Sequence, residues 1–272
     1  MPPLGHAATG FGTLHANEGW LMMQTLRWAR GGTLLSLLLL TGAVSLGALT
    51  GAEVIERMER NERHSSVHST GSLQISDRFG TRTKTFVSTA VGDDRSLLEF
   101  TNPEEAGQKI LRLDDEIYLY FPEAEEVIHL QGAALRENVL GSDFSYEDMT
   151  GEGSLLDDYE VDLEGTEPIA GHDCYRLRLT ATRRDVVYPI QIVWIDAEQF
   201  VTRRVEQFSR RGRPLKEMMI SDYRVVGDKL IPVRLEMSDL MKKDSRTVFL
   251  IDTIEVDIEV DESLFSLEEL TF

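Results

Sequence analysis

Three carboxylates crowd into GSDFSYEDM, residues 141–149: Asp143, Glu147 and Asp148, with Phe144 and Tyr146 among them. Acids at this spacing can line one side of a helical turn and hold calcium. Specific calcium loops instead alternate acids as D-x-D-x-D-G, and that alternation is missing here. Glycosidic acid catalysis needs two carboxylates facing each other across a cleft at a set separation, which no single run of sequence specifies. Nucleophilic chemistry has less support still. There is no G-x-S-x-G, and His64, His68, His129 and His172 are scattered. The pair His64/His68 has i,i+4 spacing but straddles the expected end of a helix and lacks the Glu of a zinc-protease motif. No glycine-rich phosphate loop follows a strand. The residues thus propose no catalytic group, no metal site and no cofactor.

Charge narrows the partners. The chain of 272 residues carries 47 acidic and 28 basic side chains, a formal net charge of −19, which repels phosphate backbones and argues against nucleic acid. Arg203-Arg204 and Arg210-Arg211 are interrupted by acids and turn residues and read as solvated strand faces or hairpin ends. The single cysteine, Cys174, permits no internal disulfide and reads as a small buried apolar side chain.

The elements that must position these residues begin after an export signal. Arg27 and Arg30 precede the apolar run 33–49, followed by small residues, a secretory pattern with cleavage expected after Ala48. The run approaches the length of a spanning helix, so an uncleaved anchor is the alternative. Residues 1–21 suit no signal peptide and read as a mis-called extension, which leaves 22–48 as signal and 49–272 as the mature domain. Thr50 and Glu53 form a capping box, and Leu49 and Val54 a hydrophobic staple across it. They start a helix over 51–64 with Val54, Ile55 and Met58 on one face.

From residue 71 onward the apolar positions alternate with period two, punctuated by turns such as Asp93-Asp94, Asp114-Asp115, Arg211-Gly212 and Gly227-Asp228. Only 131–158 breaks the pattern, and it contains the acidic motif. About ten strands without helical crossovers predict one mainly β (α+β) domain. Its sheet is antiparallel, with an N-terminal helix and a partly helical insertion. Parity along the strands groups Phe86, Leu98, Phe100, Leu119, Ile192, Trp194, Met218, Ile220, Leu235 and Met237 as an inward, apolar set, which a slip of one residue would turn outward. An ordinary packed core is the simpler reading of such a set.

The motif carries more than its acids. GSDFSYEDM resembles the G-S-D-F-S-Y-E-D-L signature of the outer-membrane lipoprotein-sorting proteins, a LolA-like family. DRFGTRTKTF, LLEFTNPEEAGQKIL, IYLYFPEAEEV and VVGDKLIPVRLEM resemble further segments of it, so the likeness spans nearly all of 50–270. The resemblance implies a half-open antiparallel β-barrel around helices, with an apolar cavity for acyl chains. It also implies periplasmic binding and transfer of lipid or lipoprotein by a monomer, alongside an inner-membrane permease of the resistance-nodulation type. In that setting the ten apolar residues become the acyl cavity. Gly141, Ser142, Asp143, Phe144, Ser145, Tyr146, Glu147 and Asp148 become a lid or its hinge, with a serine capping a short helix and the aromatics anchoring it. Acids after Pro122 and the weakly basic run 132–139 depart from the family's pattern. A non-carrier module docked on an envelope transporter is the alternative, and a hydrolase of an envelope glycan or lipid is the third reading.

Overall fold

The computed structural model describes residues 49–149 and 154–271; the expected extension and signal lie outside them. Helix α1, Gly51–Glu62, starts as its capping box dictates: Thr50 N–H donates to Glu53 Oε2 at 2.7 Å and Glu53 N–H to Thr50 Oγ1 at 3.2 Å. Its buried side chains, Val54, Ile55 and Met58, are those of the apolar face. The helix ends at Glu62, so the His64/His68 spacing is not helical.

Among the described residues thirteen strands form one antiparallel sheet. The first six are β1 (Ser66–Asp77), β2 (Gly80–Val91), β3 (Arg95–Phe100), β4 (Lys109–Leu113), β5 (Glu116–Phe121) and β6 (Glu126–Leu130). The others are β7 (Tyr159–Ile169), β8 (His172–Ala181), β9 (Ile190–Asp196), β10 (Thr202–Phe208), β11 (Pro214–Val226), β12 (Lys229–Asp239) and β13 (Arg246–Val256). The spatial order runs β6 to β1, then β13 to β7, so the sheet is open and its edges are β6 and β7.

Thirteen strands correct the expected ten. The run through Pro122 is two strands joined by a turn. Strand β7 escaped the sequence reading because Glu160, Asp162 and Glu164 dominate it and Pro168 interrupts it. Acids and proline are how proteins blunt an edge against further pairing, and β7 is an edge.

One face of the sheet is covered by α1 and by a strap, formed by the described residues 131–149 and 154–158 of the insertion. Under the strap lies a core of Leu73, Ile75, Phe86, Leu98, Phe100, Ile110, Ile117 and Leu119 from β1–β5. Under α1 lies a second core, including Leu177, Leu179, Val193, Ile195 and Val205 from β8–β10. Gly71 permits the first. Strand β1 bulges at Thr70/Gly71, and a Cβ on Gly71 would collide with the Leu250 carbonyl and the Phe86 ring. On the opposite face the C-terminal turns place Phe265 and Leu270 over Leu111.

Candidate functional site: a cavity beneath a latched strap

The strap is built of short 3-10 turns and a four-residue helix, α2 (Leu155–Asp158). It leaves the end of β6 and returns at the start of β7. GSDFSYEDM is the part that touches down. Gly141 has a φ of 76°, a left-handed conformation that favours glycine, and it turns the chain inward. Asp143 and Ser142 are fully buried.

Each acid of the motif meets a donor on the sheet or within the strap. Thr247 Oγ1 donates to Asp143 Oδ2 at 2.9 Å and accepts from the Asp143 N–H at the same distance. Ser245 Oγ donates to Asp143 Oδ1 at 2.5 Å, and Lys242 Nζ lies 3.5 Å from it. Asp148 receives Lys216 Nζ at 2.5 Å, the Tyr188 hydroxyl at 2.6 Å, and the Ser145 N–H and hydroxyl at 2.7 and 2.8 Å. Burial, reinforced by the Asp148 charge, pushes the Tyr188 phenol far above its ordinary range. Glu147 faces Arg136 within the strap at 3.4 Å, and burial raises its carboxyl above the usual value despite that guanidinium. Between the acids, Phe144 packs edge-on against Phe249 at 6.2 Å and Tyr146 is buried in the first core.

The motif is therefore a latch. The carboxylates turn to different cations, and among the described residues no three metal-ligating side chains converge. The Ser145–Lys216 neighbourhood superficially resembles an activated nucleophile. Yet Lys216 already donates to Asp148, and it meets the Ser145 hydroxyl at 3.3 Å as a second donor contact. Ser145 Oγ in turn donates to the Asp148 carboxylate, which Lys216 and the Tyr188 hydroxyl already hold.

Beside the latch opens a cavity of about 770 Å³, within the size range of small-molecule sites. Its walls include Met218, Leu235 and Met237 from β11 and β12, Phe144 and Leu155 from the strap, Tyr159 at the start of β7, and Val186, Val187 and Tyr188 from the β8–β9 loop. Gln191 and Gln207 bring polar atoms to it; Gln207 Oε1 is buried and has no hydrogen bond. Asp157, Asp158 and Asp185 also border the cavity. Arg183 spans two of them, 3.1 Å from Asp158 and 2.6 Å from Asp185.

The ten apolar residues expected to share a cavity are divided. Met218, Leu235 and Met237 line it. Phe86, Leu98, Phe100 and Leu119 lie instead in the packed first core. Ile220 is buried opposite Leu235 but is not part of the cavity wall.

Ile192 and Trp194 are a correction: they pack on the other face with Cys174. There Trp194 lies within cation–π range of Arg176 and Arg204, 5.6 and 4.8 Å from its ring. Strand β9 is buried at nearly every position, so alternation could not tell its faces apart. Its partners with inner-face contacts are Gln191, Val193 and Ile195.

Arg203 departs from the solvated reading as well. It is buried against Asp196, with Nη2 at 2.8 Å from Oδ2. Burial alone would raise the Asp196 carboxyl. The backbone N–H groups of Gln199 and Glu198, with the Arg203 guanidinium, hold it below the ordinary range.

A family model described as an uncharacterized protein matches residues 92–271, and none of the curated proteins matches the chain. Among solved structures, a DUF1329 family protein from Desulfovibrio piger aligns with a TM-score of 0.75 and 22% identity over 81% of this chain and 97% of its own. A putative outer membrane lipoprotein-sorting protein domain from Vibrio parahaemolyticus gives 0.74 and 21% over 82% and 98%. A LolA superfamily protein from Nitrosomonas europaea gives 0.67 and 21% over 82% and 100%. At identities this low the likeness is one of fold, a mainly β antiparallel open sheet with few helices, as the sequence resemblance implied in outline.

Proposed function

We infer the following role for a chain that belongs to the family matched over residues 92–271 and has the fold of the lipoprotein-sorting proteins. It is a carrier that takes the acyl chains of a lipid or lipoprotein into the cavity beside the latch and passes them across the envelope without a covalent step. The supporting observation is the cavity itself, whose floor is Met218, Leu235 and Met237 and whose side is closed by Phe144. Each methylene withdrawn from water there contributes about 0.8 kcal/mol, so a chain of ordinary length is held by several kcal/mol. The unbranched, polarizable methionines adapt to chains of differing shape.

Loading and release need the wall to move, and the wall that can move is the strap. Its latch is polar and directional, so it has a closed geometry and a released one, unlike a wall of apolar contacts. The chain acts in the periplasm after export, and an inner-membrane permease of the resistance-nodulation type is the partner in transfer. The expected lid residues Gly141 to Asp148 serve as the hinge and lock of this strap.

Native mass spectrometry of protein secreted from the full sequence and purified without detergent tests the reading. An adduct that releases a phospholipid, fatty acid or acylated peptide is expected, and Met237→Asp should abolish it in a folded protein. A bare mass that stays bare after lipid is added would reject the carrier and favour a docking module.

A further inference from the structure

The strand register sorts the turns into two rims. Ser76 of β1 pairs with Arg246 of β13, Lys216 of β11 with Asp239 of β12, and Phe208 of β10 with Ile190 of β9. The β1–β2, β12–β13, β10–β11 and β8–β9 turns therefore stand side by side along one rim, and the β3–β4 and β5–β6 turns open to the same end beyond β2, since Phe100 of β3 pairs with Phe86 of β2 and Lys109 of β4 with Tyr120 of β5. The β2–β3, β4–β5, β7–β8, β9–β10 and β11–β12 turns stand along the other.

Charge marks out that four-turn stretch. Its segments 77–82, 182–189, 209–213 and 239–246 hold ten Lys or Arg against four Asp, in a chain whose net charge is −19, whereas the β3–β4 and β5–β6 turns beyond it carry Glu104, Glu105, Glu123 and Glu125. The second rim has Asp93-Asp94, Asp114-Asp115, Asp228 and, after β13, Asp257. Three large apolar side chains stand in solvent on the basic stretch, while Val225 is exposed beside the β11–β12 turn. Phe79 is 83% exposed, and Leu240 and Met241 are 47% and 48% exposed.

The two neighbouring hairpins present these side chains by the same device. Asp77 Oδ1 accepts the Phe79 N–H at 2.7 Å, and Asp239 Oδ1 accepts the Met241 N–H at 2.9 Å. Each aspartate fixes its turn so that the apolar residue projects from the tip. Arg78 covers the Phe79 ring at 4.6 Å, and Lys242 and Lys243 follow Met241.

We propose that this basic stretch of the rim docks on an anionic lipid bilayer. Phe79, Leu240 and Met241 enter the interface, and Arg210, Arg211, Lys243 and their neighbours lie against the headgroups. Charge complementarity selects that partner: basic residues beside exposed aromatic and aliphatic side chains match the interfacial region, while the acidic rim is repelled and faces away. The β8–β9 loop belongs both to this rim and to the cavity wall through Val186, Val187 and Tyr188. Docking therefore brings the cavity to the membrane. The docking does not depend on the carrier reading, since an empty protein would dock as well.

Co-sedimentation with vesicles tests it. Vesicles of phosphatidylcholine with one third phosphatidylglycerol should bind the protein at low salt and release it at high salt, while pure phosphatidylcholine should not bind it. Arg210→Gln with Arg211→Gln should lower partitioning roughly 30-fold, the effect of two basic residues near an anionic surface. Arg210→Lys with Arg211→Lys should leave it unchanged. Phe79→Trp should give a blue-shifted emission on the anionic vesicles. Thermal unfolding of each variant separates docking from folding. Absence of binding to the anionic vesicles, or binding without the Phe79→Trp shift, would overturn the proposal; the latter would point to an acidic protein as the partner.

Discussion

Between β1 and β5 the inner face is filled: Phe86 stacks on Phe249 at 5.0 Å, Phe144 closes on the same ring, and Tyr146 is buried beside them. Between β9 and β12 the second core fills only part of the same face, and Gln191, Gln207, Met218, Leu235 and Met237 border about 770 Å³ of open volume. Both halves use antiparallel strands and similar side chains. What differs is the cover. The strap pushes aromatic rings into one half, whereas α1 lies against β7 and β12 and packs on the second core, and a hollow bordered by Met218, Leu235 and Met237 remains beside it. A hollow in this fold arises from where the cover touches down, and the strand sequences alone do not mark it.

Truncation should separate the halves most sharply. Phe86→Ala removes a ring from a filled core and should cost about 3–5 kcal/mol. Met218→Ala removes a side chain that already borders open volume and should cost about 2 kcal/mol or less. Urea denaturation of both variants checks this, and equal losses would mean that the second half is filled in solution.

The latch joins the two halves and comes next. Lys216 and Asp148 are both nearly buried, with side-chain exposures of 10% and 9%. Asp148→Asn leaves the lysine charge uncompensated and should cost about 3 kcal/mol, whereas Asp148→Leu with Lys216→Met should recover much of that loss. A double-mutant cycle in urea measures the coupling. In the carrier, the single variant should also exchange lipid faster, because the strap is released while the floor remains.

Much of this was legible in the sequence. The capping box at Thr50, the face of α1, the period of two and the break at 131–158 are local patterns, and each is where its residues place it. GSDFSYEDM identified the fold, and its serines and aromatics suggested a touchdown point. Its acids gave no hint of their partners, because Lys216 and Thr247 are remote in sequence and come near only through the sheet register. Strand β9 hid its facing by being apolar throughout, and β7 hid itself behind an edge strand's acids. The cavity was half legible: parity selected Met218, Leu235 and Met237, but it selected Phe86 and Phe100 by the same rule. Only the three-dimensional position of the strap divides them.

Acid should act first where burial is paired with charge. The Asp196 carboxyl is held below its ordinary range in the fold, so the folded state binds fewer protons than the unfolded chain there. Its contribution is complete above the unfolded value of about 3.9 and is lost as pH falls through the lower folded value. Chemical denaturation between pH 6 and about pH 2 should show a falling limb that Asp196→Asn flattens. An unchanged limb would assign it to other acids, including Glu53, whose carboxyl is lowered chiefly by the Thr50 backbone hydrogen bond.

The smallest effect probes the cover of the hollow half. Thr50→Ala removes the side chain that accepts the Glu53 N–H and should cost about 1 kcal/mol. The first turn of α1 lies against β7, where Gly51 approaches Val161 so closely that a Cβ would meet its Cγ1 at 2.9 Å. Fraying that turn loosens the helix at the hollow half and leaves the filled one untouched. Hydrogen exchange should therefore quicken along α1 and β7 and stay unchanged along β1–β5. Uniform quickening over both halves would mean that the sheet opens as one cooperative unit, and that the contrast between its halves is one of packing alone.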